Sequence, residues 1–212
     1  MSPIDAPPQE SSLEAGGHAK GVAVAIVREN KDESGLGRVK VSYPWHSQPR
    51  ESYWARVAMP MTGKQRGIYF IPEVGDEVLI AFERGDLRFP YVVGSLWNGV
   101  DKSPLTNQDG KNDQRQIRTR KGHKLTFDDG TRGQVQLELN DGKRLTLNDD
   151  GIEIDDGKGN KVVIQSTGGS MTVEAATSLT LKAPSITIQA TGTLEVKAGG
   201  MLRLSGATVA IN

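Results

Sequence analysis

Between residue 145 and the C-terminus, apolar residues recur in pairs spaced i, i+2 around one polar residue, and the pairs return every seven or eight residues. They are Leu145/Leu147, Ile152/Ile154, Val162/Ile164, Met171/Val173, Leu179/Leu181, Ile186/Ile188, Leu194/Val196, Leu202/Leu204 and Val209/Ile211. Alternation of period two predicts short strands with one buried face, and no helical period is kept. The corners between pairs are Gly, Asn, Asp, Ser or Ala-Pro, including Gly168-Gly169, Ala183-Pro184 and Gly199-Gly200, residue types that allow sharp changes of direction. The expected path is a winding one of very short strands.

A strand of three or four residues plus its corner spans roughly 20–25 Å, one side of a triangular prism and not a full coil. Two closures fit: one chain using three units per coil, or three chains each supplying one side in turn. No aromatic residue follows Phe127, so the interior is narrow, and the thin trimer is the expected form. Its core is then Leu145, Leu147, Ile152, Ile154, Val162, Ile164, Met171, Val173, Leu179, Leu181, Ile186, Ile188, Leu194, Val196, Leu202 and Leu204. A β-sandwich fits less well, because sandwich strands are longer and recur at about 8–12 residues.

Ten of the eleven aromatic residues lie between Tyr43 and Trp97, which marks a second kind of domain upstream. Residues 21–97 read as strands at 21–28, 37–43, 53–59, 76–82 and 91–97 with turns between them, the pattern of a small OB-type barrel. Residues 1–20 read as a flexible N-terminal segment, 98–116 as a polar, turn-rich linker and 117–212 as the repetitive β-helical region. The expected fold is therefore all-β: an OB-fold barrel followed by an intertwined trimeric β-helix, or β-prism, needle.

Composition narrows the function. Lys plus Arg equals Asp plus Glu at 26 each, and there is no cysteine, so thiolate metal sites and disulfide staples are excluded. The start is polar and Pro-rich, without the apolar region of a secretory signal, and no stretch is apolar enough to span a bilayer. The expectation is a protein made in a cytoplasm.

Catalytic signatures are missing: there is no Gly-x-Ser-x-Gly elbow, phosphate-binding loop or dinucleotide fingerprint, and the histidines are His18, His46 and His123 only. His123 reads as a packing or hydrogen-bonding residue of a turn. The carboxylate pairs Asp128/Asp129, Asp149/Asp150 and Asp155/Asp156 sit at glycine corners, where Asp accepts from nearby backbone N–H groups. No catalytic, cofactor or metal residue is expected. Of two rival readings, oligonucleotide binding by the barrel is disfavoured by its balanced charge, and polysaccharide processing by the Ser/Thr-rich surface of 166–212, which offers no carboxylate or basic cluster.

The first domain resembles a known family. Gly37-Arg38-Val39-Lys40-Val41, Pro44-Trp45, Trp54-Ala55-Arg56-Val57, Pro72 to Val78, Phe82, Gly85-Asp86, Pro90 and Gly94 to Asn98 are similar, in order, to the OB domain of phage baseplate assembly protein V and of the valine-glycine repeat proteins of type VI secretion. Residues 121–129, KGHKLTFDD, are similar to that family's entry into its spike. The resemblance implies a homotrimeric central spike that docks on a hub protein at its N-terminal side, meets a target membrane transiently and is part of a phage tail or phage-tail-like particle. It also implies a small tip protein of the proline-alanine-alanine-arginine (PAAR) type, for which Thr208, Val209, Ala210, Ile211 and Asn212 form the expected platform.

Overall fold

The computed structural model describes residues 13–14, 18–19, 21–45 and 51–210, and the chain divides into two compact units, 1–108 and 109–212. The class is all-β, as expected.

In the first unit β1 (Leu13–Glu14) and β2 (His18–Ala19) form a minimal antiparallel ladder. These four are the described residues of the segment 1–20, and Ala19 packs against the barrel core. The barrel is built from β3 (Val22–Glu29), β4 (Lys40–Ser42), β5 (Arg56–Val57), β8 (Glu77–Phe82) and β9 (Pro90–Ser95) in the order β4-β3-β8-β9-β5. The hairpin of β6 (Thr62–Gly63) and β7 (Arg66–Gly67) stands apart from that sheet. β5 runs parallel to β9, and the residues before it bridge back to the β4 segment at Val39↔Ala55 and Ser42↔Glu51. That contact closes a Greek-key ring with one parallel pair, the OB arrangement.

Alternation explains the barrel core. Ala25/Val27, Val39/Val41/Tyr43 and Val78/Ile80/Phe82 each place every second residue inward, joined by Ala55 and Val92. Ordered β4 and β5 are shorter than the predicted 37–43 and 53–59, because these segments meet through single bridges and not through a continuous ladder.

Asp32 fastens the loop after β3. Its carboxylate accepts from the backbone N–H groups of Ser34 (3.0 Å) and Leu36 (3.2 Å) and from Nε and Nη2 of Arg38 (2.8 and 2.9 Å). The Arg38 guanidinium, with help from the backbone N–H groups of Ser34 and Arg38, holds the Asp32 carboxyl well below the usual carboxylate range.

The second unit opens with seven five-residue strands: β10 (Gln114–Arg118), β11 (Lys124–Asp128), β12 (Gln134–Glu138), β13 (Arg144–Asn148), β14 (Gly151–Asp155), β15 (Lys161–Gln165) and β16 (Ser170–Glu174). Each pairs antiparallel with the next in sequence to give one meandering sheet. β10 begins inside the segment 98–116 read as a linker; its four polar residues around Ile117 hide a strand that backbone pairing to β11 reveals. A second difference is the path between 145 and 174. The chain there does not wind onward but reverses at every corner, because Asx and glycine turns allow tight hairpins. Residues 175–210 contain no strand paired within the chain.

Candidate functional site: a one-faced sheet

Directly opposed residues of an antiparallel ladder point to the same side, so the register of the seven strands sorts their side chains into continuous rows. One row reads Ile117, Leu125, Leu137, Leu145, Ile154, Val162, Val173; the other reads Arg115, Phe127, Val135, Leu147, Ile152, Ile164, Met171. Thirteen of these fourteen side chains are apolar, and all fourteen share one face. The opposite face carries Gln116, Thr126, Gln136, Thr146, Glu153, Val163 and Thr172 along its middle.

Burial in the single chain is inverted relative to polarity. In β12 and β14 the polar residues are half-covered, whereas Val135, Leu137, Ile152 and Ile154 are exposed, Ile154 by 51%. The polar side is covered by its own lateral contacts. Lys124 Nζ lies 3.0 Å from Glu138 Oε1, Arg144 Nη2 lies 2.9 Å from Asp155 Oδ2, and Lys161 Nζ lies 2.9 Å from Glu153 Oε2. Lys161, followed by Arg144, lowers the Glu153 carboxyl from its ordinary value. An exposed two-row apolar face on a sheet whose other face is satisfied marks a surface that another protein surface covers.

Of the expected core, Leu145, Leu147, Ile152, Ile154, Val162, Ile164, Met171 and Val173 are gathered on this face. Leu179, Leu181, Ile186, Ile188, Leu194, Val196, Leu202 and Leu204 lie outside any strand paired within the chain and are exposed, so one chain does not bring them together. Leu179 alone lines, with Leu137, Leu145, Ile154 and Val162, a concavity of about 470 Å³ on the apolar face. Thr208, Val209 and Ala210 are exposed, and Ile211 and Asn212 lie outside the described residues. Sequence reasoning missed Ile117, Leu125, Phe127, Val135 and Leu137. Their i, i+2 spacing carried the same signal, beneath a more charged stretch with wider corners.

The corner carboxylates act on backbone. Gly130 N donates to Asp128 (2.9 Å), Gly157 N to Asp155 (2.7 Å) and Lys158 N to Asp156 (2.8 Å). These bonds lower the Asp128 carboxyl, with Gln114 contributing, and lower that of Asp156 after the larger effect of Asn160. His123 joins two turns, its Nδ1 accepting from Asn140 N at 3.3 Å. Among the described residues no three His, Cys, Asp or Glu side chains gather as metal ligands would, and no helix is long and apolar enough to cross a membrane.

On the barrel, cations are held by carboxylates: Arg38 by Asp32, Lys40 by Glu29 at 2.7 Å and Arg88 by Asp86. Arg38 and Lys40 also flank the Trp54 ring. Beside the β6–β7 hairpin, exposed Leu36, Met61, Ile68 and Tyr69 line a separate concavity of about 560 Å³.

A closed OB barrel and, in a separate unit, a one-faced sheet define a self-associating all-β protein. Comparison with known proteins gives the family. Residues 23–97 match the type VI secretion system/phage-baseplate injector OB domain, and residues 114–175 match the phage baseplate V C-terminal trimerisation domain, about two thirds of the chain together. The chain belongs to this baseplate V and type VI injector family. It is 38% identical over 80 residues to the type VI secretion system spike protein VgrG3 of Vibrio cholerae, covering 36% of this chain and 8% of that protein. It is also 39% identical over 72 residues to the spike protein VgrG1a of Pseudomonas aeruginosa, covering 32% of this chain and 11% of the relative. A further relative, 33% identical over 79 residues, is the actin cross-linking toxin VgrG1 of Vibrio cholerae, with 35% of this chain and 7% of that protein covered. The matched segments thus span about a tenth or less of these curated relatives.

Proposed function

We propose that the chain is the homotrimeric central spike of a contractile tail or related injection particle, with a mechanical and not a catalytic role. The observation that carries this reading is the two-row apolar face of β10–β16, uncovered in one chain and lying within a match to a trimerisation domain. Three such faces turned inward form a dry prism, and their apolar rows become its core. The pairs from Leu179/Leu181 to Leu202/Leu204 extend that core as an intertwined needle. Domain limits at 21–97, 98–116 and 117–212, the last moved back to take in β10 from Gln114, give the barrel as the base and the repetitive region as the shaft.

In this role the protein is made in the bacterial cytoplasm, docks through its barrel on a hub, carries a tip protein on Thr208–Asn212 and is driven through the target envelope on sheath contraction. The concavity beside the β6–β7 hairpin, where Leu36, Met61, Ile68 and Tyr69 are exposed among Thr62, Gln65 and Arg66, suits the hub contact.

Native mass spectrometry is expected to give three times the 22.9 kDa chain mass. Antibody labelling of native particles in electron micrographs is expected at the baseplate end of the tail. A monomer, or label confined elsewhere on the particle, refutes the role. Removal of residues 206–212 is expected to leave the trimer intact and to lose a small tip protein from the particles; retention of that protein refutes the platform alone.

A further inference from the structure

The chain holds one Asn-Gly pair, Asn98-Gly99, shortly past the end of β9. That dipeptide usually signals a type I′ hairpin turn, which needs positive φ at both residues. Here neither residue has positive φ. A Cβ built on Gly99 would meet nothing within 4 Å. Neither backbone conformation nor space therefore calls for glycine at this position.

Glycine there has a chemical consequence. With no side chain to shield it, the backbone nitrogen after an asparagine can attack that asparagine's own side-chain amide, one source of the residue's thermal lability. The nitrogen of Gly99 loses its proton to water and bonds to Cγ of Asn98. The Cγ–Nδ2 bond breaks and ammonia leaves. Water then opens the five-membered imide at either carbonyl, giving aspartate or isoaspartate. The net change consumes water, releases ammonia and oxidises nothing.

The fold opposes this reaction. Asn98 N donates to Asp101 O (3.0 Å), and Asn98 Oδ1 accepts from the backbone N–H groups of Val100 (2.8 Å) and Asp101 (2.7 Å). Asn98 Nδ2 donates to Oε2 of Glu77 at 3.1 Å. The Glu77 carbonyl also accepts from Leu96 N at 2.9 Å, so the first residue of β8 ties both backbone and side chain of the segment leaving β9. Bringing Cγ onto Gly99 N requires the Asn98 side chain to turn, and both ends of its amide are held.

We infer that Asn98 is a latent deamidation site, held shut by Glu77 while the barrel is folded and open to reaction once the β8–β9 end comes apart. The product does not fit back. An oxygen replaces the Nδ2 donor and sets a second carboxylate against that of Glu77, where like charges oppose joint ionisation. Isoaspartate also adds a methylene to the backbone inside the turn 98–101. A chain that has once opened here is marked at the exit from its barrel and closes less well.

The test incubates the full chain at mildly alkaline pH and follows position 98 by peptide mapping with mass spectrometry. Glu77→Ala is expected to deamidate at Asn98 about tenfold faster than the parent, the weight of one hydrogen bond to a charged acceptor. Glu77→Gln keeps an acceptor oxygen and is expected to fall between them. Equal rates in the parent and Glu77→Ala overturn the role of Glu77, and Glu77→Gln as fast as Glu77→Ala overturns its assignment to this bond. Gly99→Ala is expected to leave the thermal melt unchanged and to slow the reaction in urea severalfold; an unchanged rate there overturns the part given to Gly99. Should Glu77→Ala fail to fold, the parent chain is expected to react far faster in urea than in buffer, and equal rates overturn the inference. Asn98→Asp is expected to melt below the parent near neutral pH and to recover part of the difference as pH falls, because protonation relieves the like-charge contact. A deficit that does not change with pH overturns the misfit of the product.

Discussion

Leu147→Asp puts the apolar face to a quantitative test. Leu147 lies between Val135 and Ile152 in mid-row and is 40% exposed in one chain. If that exposure persists in solution, the substitution is a surface change worth about 0.5 kcal/mol or less. If three faces meet, three carboxylates enter one level of a dry prism without cationic partners. Each unpaired buried charge costs about 3–5 kcal/mol, so the trimer loses about 9–15 kcal/mol, enough to weaken assembly by six orders of magnitude or more. Per chain the two cases differ about six- to tenfold in free energy. Thr126→Asp, on the polar face and next to Phe127 in β11, is the charge-matched control and is expected to remain trimeric. Sedimentation velocity at micromolar concentration with a thermal melt reads both. A Leu147→Asp trimer with unchanged melting refutes the inward orientation of this face.

Two further outcomes are expected. Gly151→Ala places a Cβ 1.9 Å from the carbonyl oxygen of Ile164 at a φ of 147°, so the β13–β14 hairpin is expected to lose about 2–4 kcal/mol per chain; an unchanged thermal melt refutes the strain. Because the Asp32 carboxyl is held below its ordinary value, its contribution to the barrel is full above about pH 4 and is lost as pH falls through the native value. Asp32→Asn is therefore expected to melt lower near neutral pH and to lose less on acidification than the parent chain, and parallel acid profiles refute the assignment.

Much of this was legible in the residues. The i, i+2 spacing of Leu145/Leu147 through Met171/Val173 predicted one-faced strands because side-chain direction depends only on the strand's own pleat. The barrel core at Val39/Val41/Tyr43 and Val78/Ile80/Phe82 follows from the same rule. Alternation does not say which strand lies alongside, so a chain that winds onward and one that reverses look alike between 145 and 174. The information that separates them sits in the corners, in whether a glycine takes positive φ, and a Gly in the sequence does not report its φ: Gly168 reverses the chain and Gly199 does not. Polar β10 was hidden for a related reason, since its pairing rests on backbone and only Ile117 signals a face.

An odd number of strands has a consequence for change over time. With seven, β10 and β16 run in the same direction, and the chain enters the sheet at the Gln114 rim and leaves at the opposite, charged rim. Gain or loss of a single strand moves the exit to the wrong rim and turns the outgoing segment around. A whole hairpin keeps the exit in place and both apolar rows in phase. The sheet can therefore lengthen or shorten only in even steps, each of about 10 Å, two strand spacings. Its length is a ruler with a coarse unit, and relatives of different reach should differ by pairs of strands.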